Sequence, residues 1–274
     1  ALLAPFGGPF VQLPLTASAI VMGYHLPELN ATTDTLVFDV PTLARIWRGD
    51  ITMWNDSAIA ALNPAIAPKL PGESIELLYK RNADPLRADV TAAFTKALCH
   101  DAAFDAAFEA AGGSLYDLLG GSGYANNNIT NRQARLVSTP YTLSYFRLVD
   151  TIGMSYSVMK DANGTTVAPS ATTVQSALAW YRTTVFDNQF VADISNGGNG
   201  SWPLTYLAAV VIVPLNASIA TNCPQVKDLL DYVSWTQVHR GLTAIGVDGS
   251  LIVLMGINVC GLPGEQLCGD VGAE

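Results

Sequence analysis

Apolar positions along this chain recur with two different spacings. Residues 16–24, 35–38 and 75–79 form short runs rich in branched and aromatic side chains, which predict strands. Leu43, Ile46 and Trp47 lie at helical spacing after Pro41, a good first-turn residue, and Gly49 is suited to ending that helix. Asp56 or Ser57 can cap a second short helix whose apolar face is Ile59 and Leu62, and Asn63 with Pro64 stops it. Residues 85–98 and 102–111 read as Ala-rich helices, the second ended by Gly112 and Gly113. Strands and helices alternating at these lengths point to an α/β fold, with a mainly parallel sheet flanked by helices. Two late apolar runs, 204–215 and 251–259, predict buried strands, since each is shorter than the roughly 20 residues a bilayer-spanning helix requires.

Composition narrows the function classes. The chain has 274 residues, half of them apolar, enough to bury one large core or two modest lobes. Its 23 acidic residues face only 14 Lys and Arg, a formal charge of -9 with no basic run. Nucleic-acid backbones and acidic lipid surfaces both call for clustered cations, so neither is an expected partner. The chain opens at Ala1 without an initiator Met or a signal-like segment, and a longer precursor is expected upstream.

Six N-glycosylation sequons begin at Asn30, Asn55, Asn128, Asn163, Asn199 and Asn216, against about two expected by chance. Most fall in expected turns, where a glycan costs nothing in packing. They predict a secreted or cell-surface eukaryotic glycoprotein carrying N-linked glycans. Cys99, Cys223, Cys260 and Cys268 form an even set without a CxxC, which fits an oxidising compartment. Cys260 and Cys268 could close a small loop, leaving Cys99 with Cys223, although spacing alone does not fix connectivity. His25, His100 and His239 have no metal-ligand spacing, and H-E-x-x-H, G-x-S-x-G and Walker patterns are absent. No metal, cofactor or catalytic residue is expected.

The densest series of informative residues is Leu43, Ile46, Trp47, Gly49, Ile51, Trp54, Asn55, Asp56, Ile59, Leu62, Asn63 and Pro64. It closely resembles the segment L-x-x-I-[YF]-x-G-x-I-x-x-W-[DN]-D-x-x-I-x-x-L-N-P of the phosphate-binding proteins of bacterial uptake transporters, the PstS-like family. The resemblance continues at lower density. Residues 139–145 stand where that family has a P-G-A-I-G-Y strand, with Tyr141 and Ser144 in place of Gly. Residues 152–178 resemble its strand, turn and long helix, residues 201–205 its W-P-I-T, and the stretch from Val226 to Trp235 the helix carrying its late Trp. It covers roughly residues 10–255.

The resemblance implies a two-lobed, type 2 periplasmic-binding-protein-like fold. Residues 1–274 form a single PstS-like domain, with residues 25–203 in one lobe and residues 1–24 plus 204–274 in the remainder of the other. The family's opening strands and helices, which supply about half of its phosphate ligands, have no counterpart here. Exposed apolar strand edges are an aggregation hazard. Another protein segment, domain or subunit is therefore expected to complete that lobe.

The family's phosphate cradle is R-x-D-x-S-G-T-S at a helix N-terminus, where an Arg, hydroxyls and backbone N–H groups hold the oxyanion. In residues 80–91, Arg81 falls on that Arg and Asn82 follows it, but S-G-T-S is absent. Asp84 before Pro85 would cap the helix instead, and its carboxylate would repel a dianion; Arg81 and Arg87 could pair with Asp84 or Asp89. Gly121, Ser122 and Gly123 belong to a Gly-rich loop that either presents N–H groups to an anion or is a plain turn. Arg132 and Arg135 follow it and could restore positive potential to a modified cleft. The resulting expectation is a non-catalytic extracellular module of a larger assembly, with phosphate or another small oxyanion as the alternative ligand.

Overall fold

The computed structural model describes residues 11–81, 90–184, 198–212 and 253–254. Strand β1 (Val11–His25) is its axis and extends beyond the expected 16–24. Its first half pairs antiparallel with β9 (Thr205–Ile212) and β10 (Val253–Leu254), while its second half, from Ile20 onwards, pairs antiparallel with β5 (Thr142–Arg147). Its far end also pairs with β6 (Ser155–Tyr156). Strand β3 (Glu76–Tyr79) lies parallel to β5 on one side and to β4 (Tyr124–Ala125) on the other. A small second sheet joins β2 (Val37–Phe38) parallel to β7 (Val158–Lys160), which pairs antiparallel with β8 (Thr166–Val167). The fold class is α/β as expected, with helices flanking parallel β3, β4 and β5.

The helices begin and end where their capping residues stand. Helix α1 (Val40–Arg48) starts at Asp39, whose side chain accepts the Thr42 N–H, and ends at Gly49, where φ is 87°. Only a residue without Cβ enters that left-handed conformation without strain. Of the two candidate caps for α2 (Ser57–Leu62), Asp56 is the one used: its carboxylate accepts the Ala58 N–H at 2.8 Å. Helix α3 (Val90–Leu98) covers the end of the helix expected over 85–98, and the expected Asp84 cap lies outside the described residues. Helix α4 (Ala102–Ala110) is capped by Asp101. Short α5 (Leu115–Leu118), α6 (Ile129–Ser138) and α7 (Ala171–Thr184) follow.

The motif residues that carry the family resemblance hold the core together. Trp47, Trp54 and Ile59 are fully buried. Trp47 packs edge-on to Phe94, 5.2 Å between ring centroids, and Phe94 stacks on Tyr145 at 4.5 Å, tying α1 to α3 and β5. The Trp54 indole N–H donates to the Tyr141 carbonyl at 3.1 Å. The Trp202 indole N–H donates to the Ile20 carbonyl at 2.9 Å, fastening the start of β9 against β1. A smaller cluster of Leu78, Leu136 and Phe146 lies under α6. Among the described residues, no helix is long and apolar enough to cross a membrane.

Candidate functional site

In open α/β sheets, ligands gather outside the carboxyl ends of parallel strands. Here those ends belong to β3, β4 and β5; Arg81 follows β3, and Arg132 and Arg135 follow β4, whereas Gly121, Ser122 and Gly123 precede β4. Lys80 and Arg81 come directly after β3. Arg81 is exposed and its guanidinium lies 4.7 Å above the Tyr116 ring in α5, a cation–π contact. Asn82 and Asp84 lie outside the described residues, as do Arg87 and Asp89.

The Gly-rich loop is folded as the end of α5. The N–H groups of Gly120, Gly121 and Ser122 donate to the carbonyls of Asp117, Tyr116 and Leu119. The Ser122 hydroxyl donates to the Leu119 carbonyl at 2.6 Å, and the Ser122 carbonyl accepts the Tyr79 hydroxyl at 2.8 Å. Burial pushes the Tyr79 phenol up to about 12, so it stays a neutral donor in this contact. Gly121 and Gly123 have φ of 76° and 78°, and a Cβ on Gly123 would lie 2.5 Å from the Leu77 carbonyl oxygen. The loop therefore needs Gly123 for close approach to β3 and Gly121 for its positive φ, and of the two sequence-based alternatives its geometry matches the turn.

The two arginines after the loop take different roles. Arg135 forks onto Glu76, with hydrogen bonds of 2.9–3.2 Å to both carboxylate oxygens. Arg132 is turned inward from α6 and is only 6% exposed. Its Nε and Nη1 are buried without a hydrogen-bond partner. Its Cζ lies 5.5 Å from the Tyr145 ring centroid and 5.7 Å from that of Phe146. The Tyr145 hydroxyl accepts the Lys80 N–H at 3.2 Å and shares a 2.9 Å hydrogen bond with Thr91. Spacing could have flagged Arg132, which falls with Ile129 and Leu136 on one helical stripe; a charge on such a stripe is a marked position.

A separate cavity of about 530 Å³ includes Asp39, His100, Asp101, Lys160 and Asp161 in its lining, but neither Arg81 nor Arg132. We place the candidate chemistry at the strand ends instead, because the carboxylates of this cavity are already used within the fold. Asp39 and Asp101 cap helices, Asp101 also faces Arg48 at 3.5 Å, and Asp161 accepts N–H groups of Asn163, Thr165 and Gly200. Burial works to raise the Asp161 carboxyl, but those three hydrogen bonds outweigh it and hold the group below the usual carboxylate range. Among the described residues, no group of three or more His, Cys, Asp and Glu could hold a metal ion.

Five of the six sequon asparagines, Asn30, Asn55, Asn128, Asn163 and Asn199, are exposed, and Asn216 lies outside the described residues. Cys99 is half-buried just after α3; Cys223, Cys260 and Cys268 lie outside the described residues.

No family model matches the chain. In sequence it is 26% identical over 236 residues to the phosphate-binding protein PstS of Methanocaldococcus jannaschii, covering 82% of this chain and 59% of that protein. In structure it is similar to a DING protein, with a TM-score of 0.54 at 16% identity over 81% of this chain and 63% of the other. The chain has a PstS-like fold. A second PstS-like structure, the periplasmic phosphate-binding protein PfluDING bound with phosphate, gives a TM-score of 0.50 at 14% identity, over 81% of this chain and 62% of that one. The chain is also 32% identical over 243 residues to a protein of Acanthamoeba polyphaga mimivirus with the provisional name serine/threonine-protein kinase/receptor R826. That match covers 86% of this chain but 14% of the viral protein, so the chain spans about one seventh of that relative and under two thirds of the PstS-like proteins.

Proposed function

We propose that this chain is a non-catalytic, extracellular, N-glycosylated module of PstS-like fold that serves as an interaction domain within a larger assembly. The observation that carries this reading is that the Gly-rich loop, one of whose two readings is an anion cradle, is spent within the fold. Its amides at residues 120–122 cap α5, and Arg81 stacks on Tyr116. The exposed sequon asparagines support the extracellular part. The viral relative, in which the matched segment is a small part of a long chain, supports the module part. In this reading, residues 25–203 form one lobe, and residues 1–24 with 204–274 belong to the other, completed by a further segment, domain or subunit. The four cysteines form disulfides in this reading.

The test is calorimetry of the purified chain with phosphate, sulfate and small carboxylates, alongside intact-mass measurement before and after enzymatic removal of N-glycans. We expect a mass loss on deglycosylation and no binding that depends on Arg81. Micromolar affinity abolished by Arg81→Ala would overturn the reading of the spent cradle.

A second reading, capture of phosphate or another small oxyanion, is favoured by one observation, the buried and unpartnered guanidinium of Arg132. The relatives named as phosphate-binding proteins agree with it.

A further inference from the structure

We propose that Arg132, and not Arg81, is the anchor for a small oxyanion in this chain; the inference rests on the second reading above. A guanidinium cannot shed its charge by deprotonation at any ordinary pH, so burying it requires either a counter-charge or a full set of acceptors. Arg132 is 6% exposed, and its Nε and Nη1 have neither. The faces of Tyr145 and Phe146 offer quadrupole attraction from the side, which leaves the in-plane N–H donors unanswered. Every other described arginine around the strand ends has its charge placed: Arg135 on Glu76, Arg147 on Asp150, and Arg81 exposed over Tyr116.

The surroundings suit an anion. Arg132 lies in the second turn of α6, a ten-residue helix whose positive dipole end faces the carboxyl ends of β3 and β4, since β4 leads into it through residues 126–128. Asn126 is held there by its N–H to the Tyr79 carbonyl, and its side chain accepts the Asn128 N–H. No described carboxylate forms an ion pair with Arg132. The ligand class is a small oxyanion with two oxygens to offer a planar donor set, either tetrahedral or a carboxylate. The anchoring cation thus lies on the helix after β4, whereas the family's cradle lies after β3.

The test is anion titration of the full glycoprotein by calorimetry, using phosphate, sulfate and acetate separately, on the wild type, Arg81→Ala, Arg132→Met and Arg132→Lys. We expect at least about tenfold weaker binding for Arg132→Met and a smaller loss for Arg132→Lys, which keeps the charge but not the planar fork. Arg81→Ala should bind within about threefold of wild type. Should Arg132→Met fail to fold, Arg132→Lys and a selenate soak of wild-type crystals decide: an anomalous peak within hydrogen-bond distance of Arg132 supports the proposal, and its absence with unchanged affinity in Arg132→Lys overturns it. Binding lost in Arg81→Ala but kept in Arg132→Met would overturn this assignment while leaving oxyanion capture standing. No binding of any of the three anions to wild type would overturn both.

Discussion

The side-chain amide of Asn63 brackets the backbone of Val37. Its Oδ1 accepts the Val37 N–H at 2.7 Å, and its Nδ2 donates to the Val37 carbonyl at 2.8 Å and to the Ile59 carbonyl at 2.9 Å. Asn63 is 3% exposed, so all three contacts are made away from water. It imitates a strand neighbour for β2 and closes α2 with the same side chain. This explains why the L-N-P at the end of the motif matters more than a helix stop would require. Asn63→Leu would leave the Val37 N–H and carbonyl unsatisfied, at about 1–3 kcal/mol per buried group. Denaturant unfolding should show a loss of about 2–5 kcal/mol.

Tyr141 occupies a position where the family has Gly, and it does so at φ 65°. The conformation is held from three sides: its N–H donates to the His25 carbonyl, and its carbonyl accepts both the Glu76 N–H and the Trp54 indole N–H. A β-branched residue tolerates left-handed backbone least. Tyr141→Val is therefore expected to unfold before Tyr141→Gly, by about 1–2 kcal/mol, although Val retains more apolar surface. Thermal melts of the two variants check the order.

Gly123 is under a tighter constraint. A methyl group there meets the Leu77 carbonyl oxygen at 2.5 Å, and backbone cannot swing aside as a side chain can. Gly123→Ala should cost about 2–4 kcal/mol from clash and positive φ together. Gly112→Ala has φ 66° with nothing nearby and should cost only about 1 kcal/mol. Comparing the two by chemical denaturation separates close approach from backbone strain.

Asp161 should give stability a specific pH dependence. Its folded value lies below the usual one, so its contribution is complete above the unfolded carboxylate pKa of about 4. The contribution is lost as pH falls through the lower folded value. Asp161→Asn should therefore melt below wild type at pH 7, and the gap should narrow as both are titrated below about pH 4. A gap that stays constant down to pH 2 would show that the charge itself does not matter.

Residues 40–64 were legible because every signal in them is local. Pro41 at the helix start, Gly49 at the left-handed cap and Asp56 before α2 each act within one turn. The periodicity of Leu43, Ile46 and Trp47 then fixes the buried face of α1. Residues 11–14 lie outside the strand expected over 16–24, and Pro14 breaks a regular strand pattern, yet they pair with β9 around a register shift between Pro14 and Thr16. No sequence window contains that partner, which lies almost two hundred residues away.

The sequence by itself determined the helix caps, the α/β alternation, the family likeness and the acidic, sequon-rich character of this chain, since these follow from neighbours along the backbone or from composition. Tertiary structure alone decided which of several similar groups are spent and which are left over. Arg135 meets Glu76 because α6 packs against β3, and the amides after α5 turn inward because Tyr79 draws the Ser122 carbonyl onto the sheet. Arg132 is stranded among aromatic rings because α6 lies over β5. Charge and hydrogen-bond partners are allotted by distance in space, which the order of residues along the chain does not record.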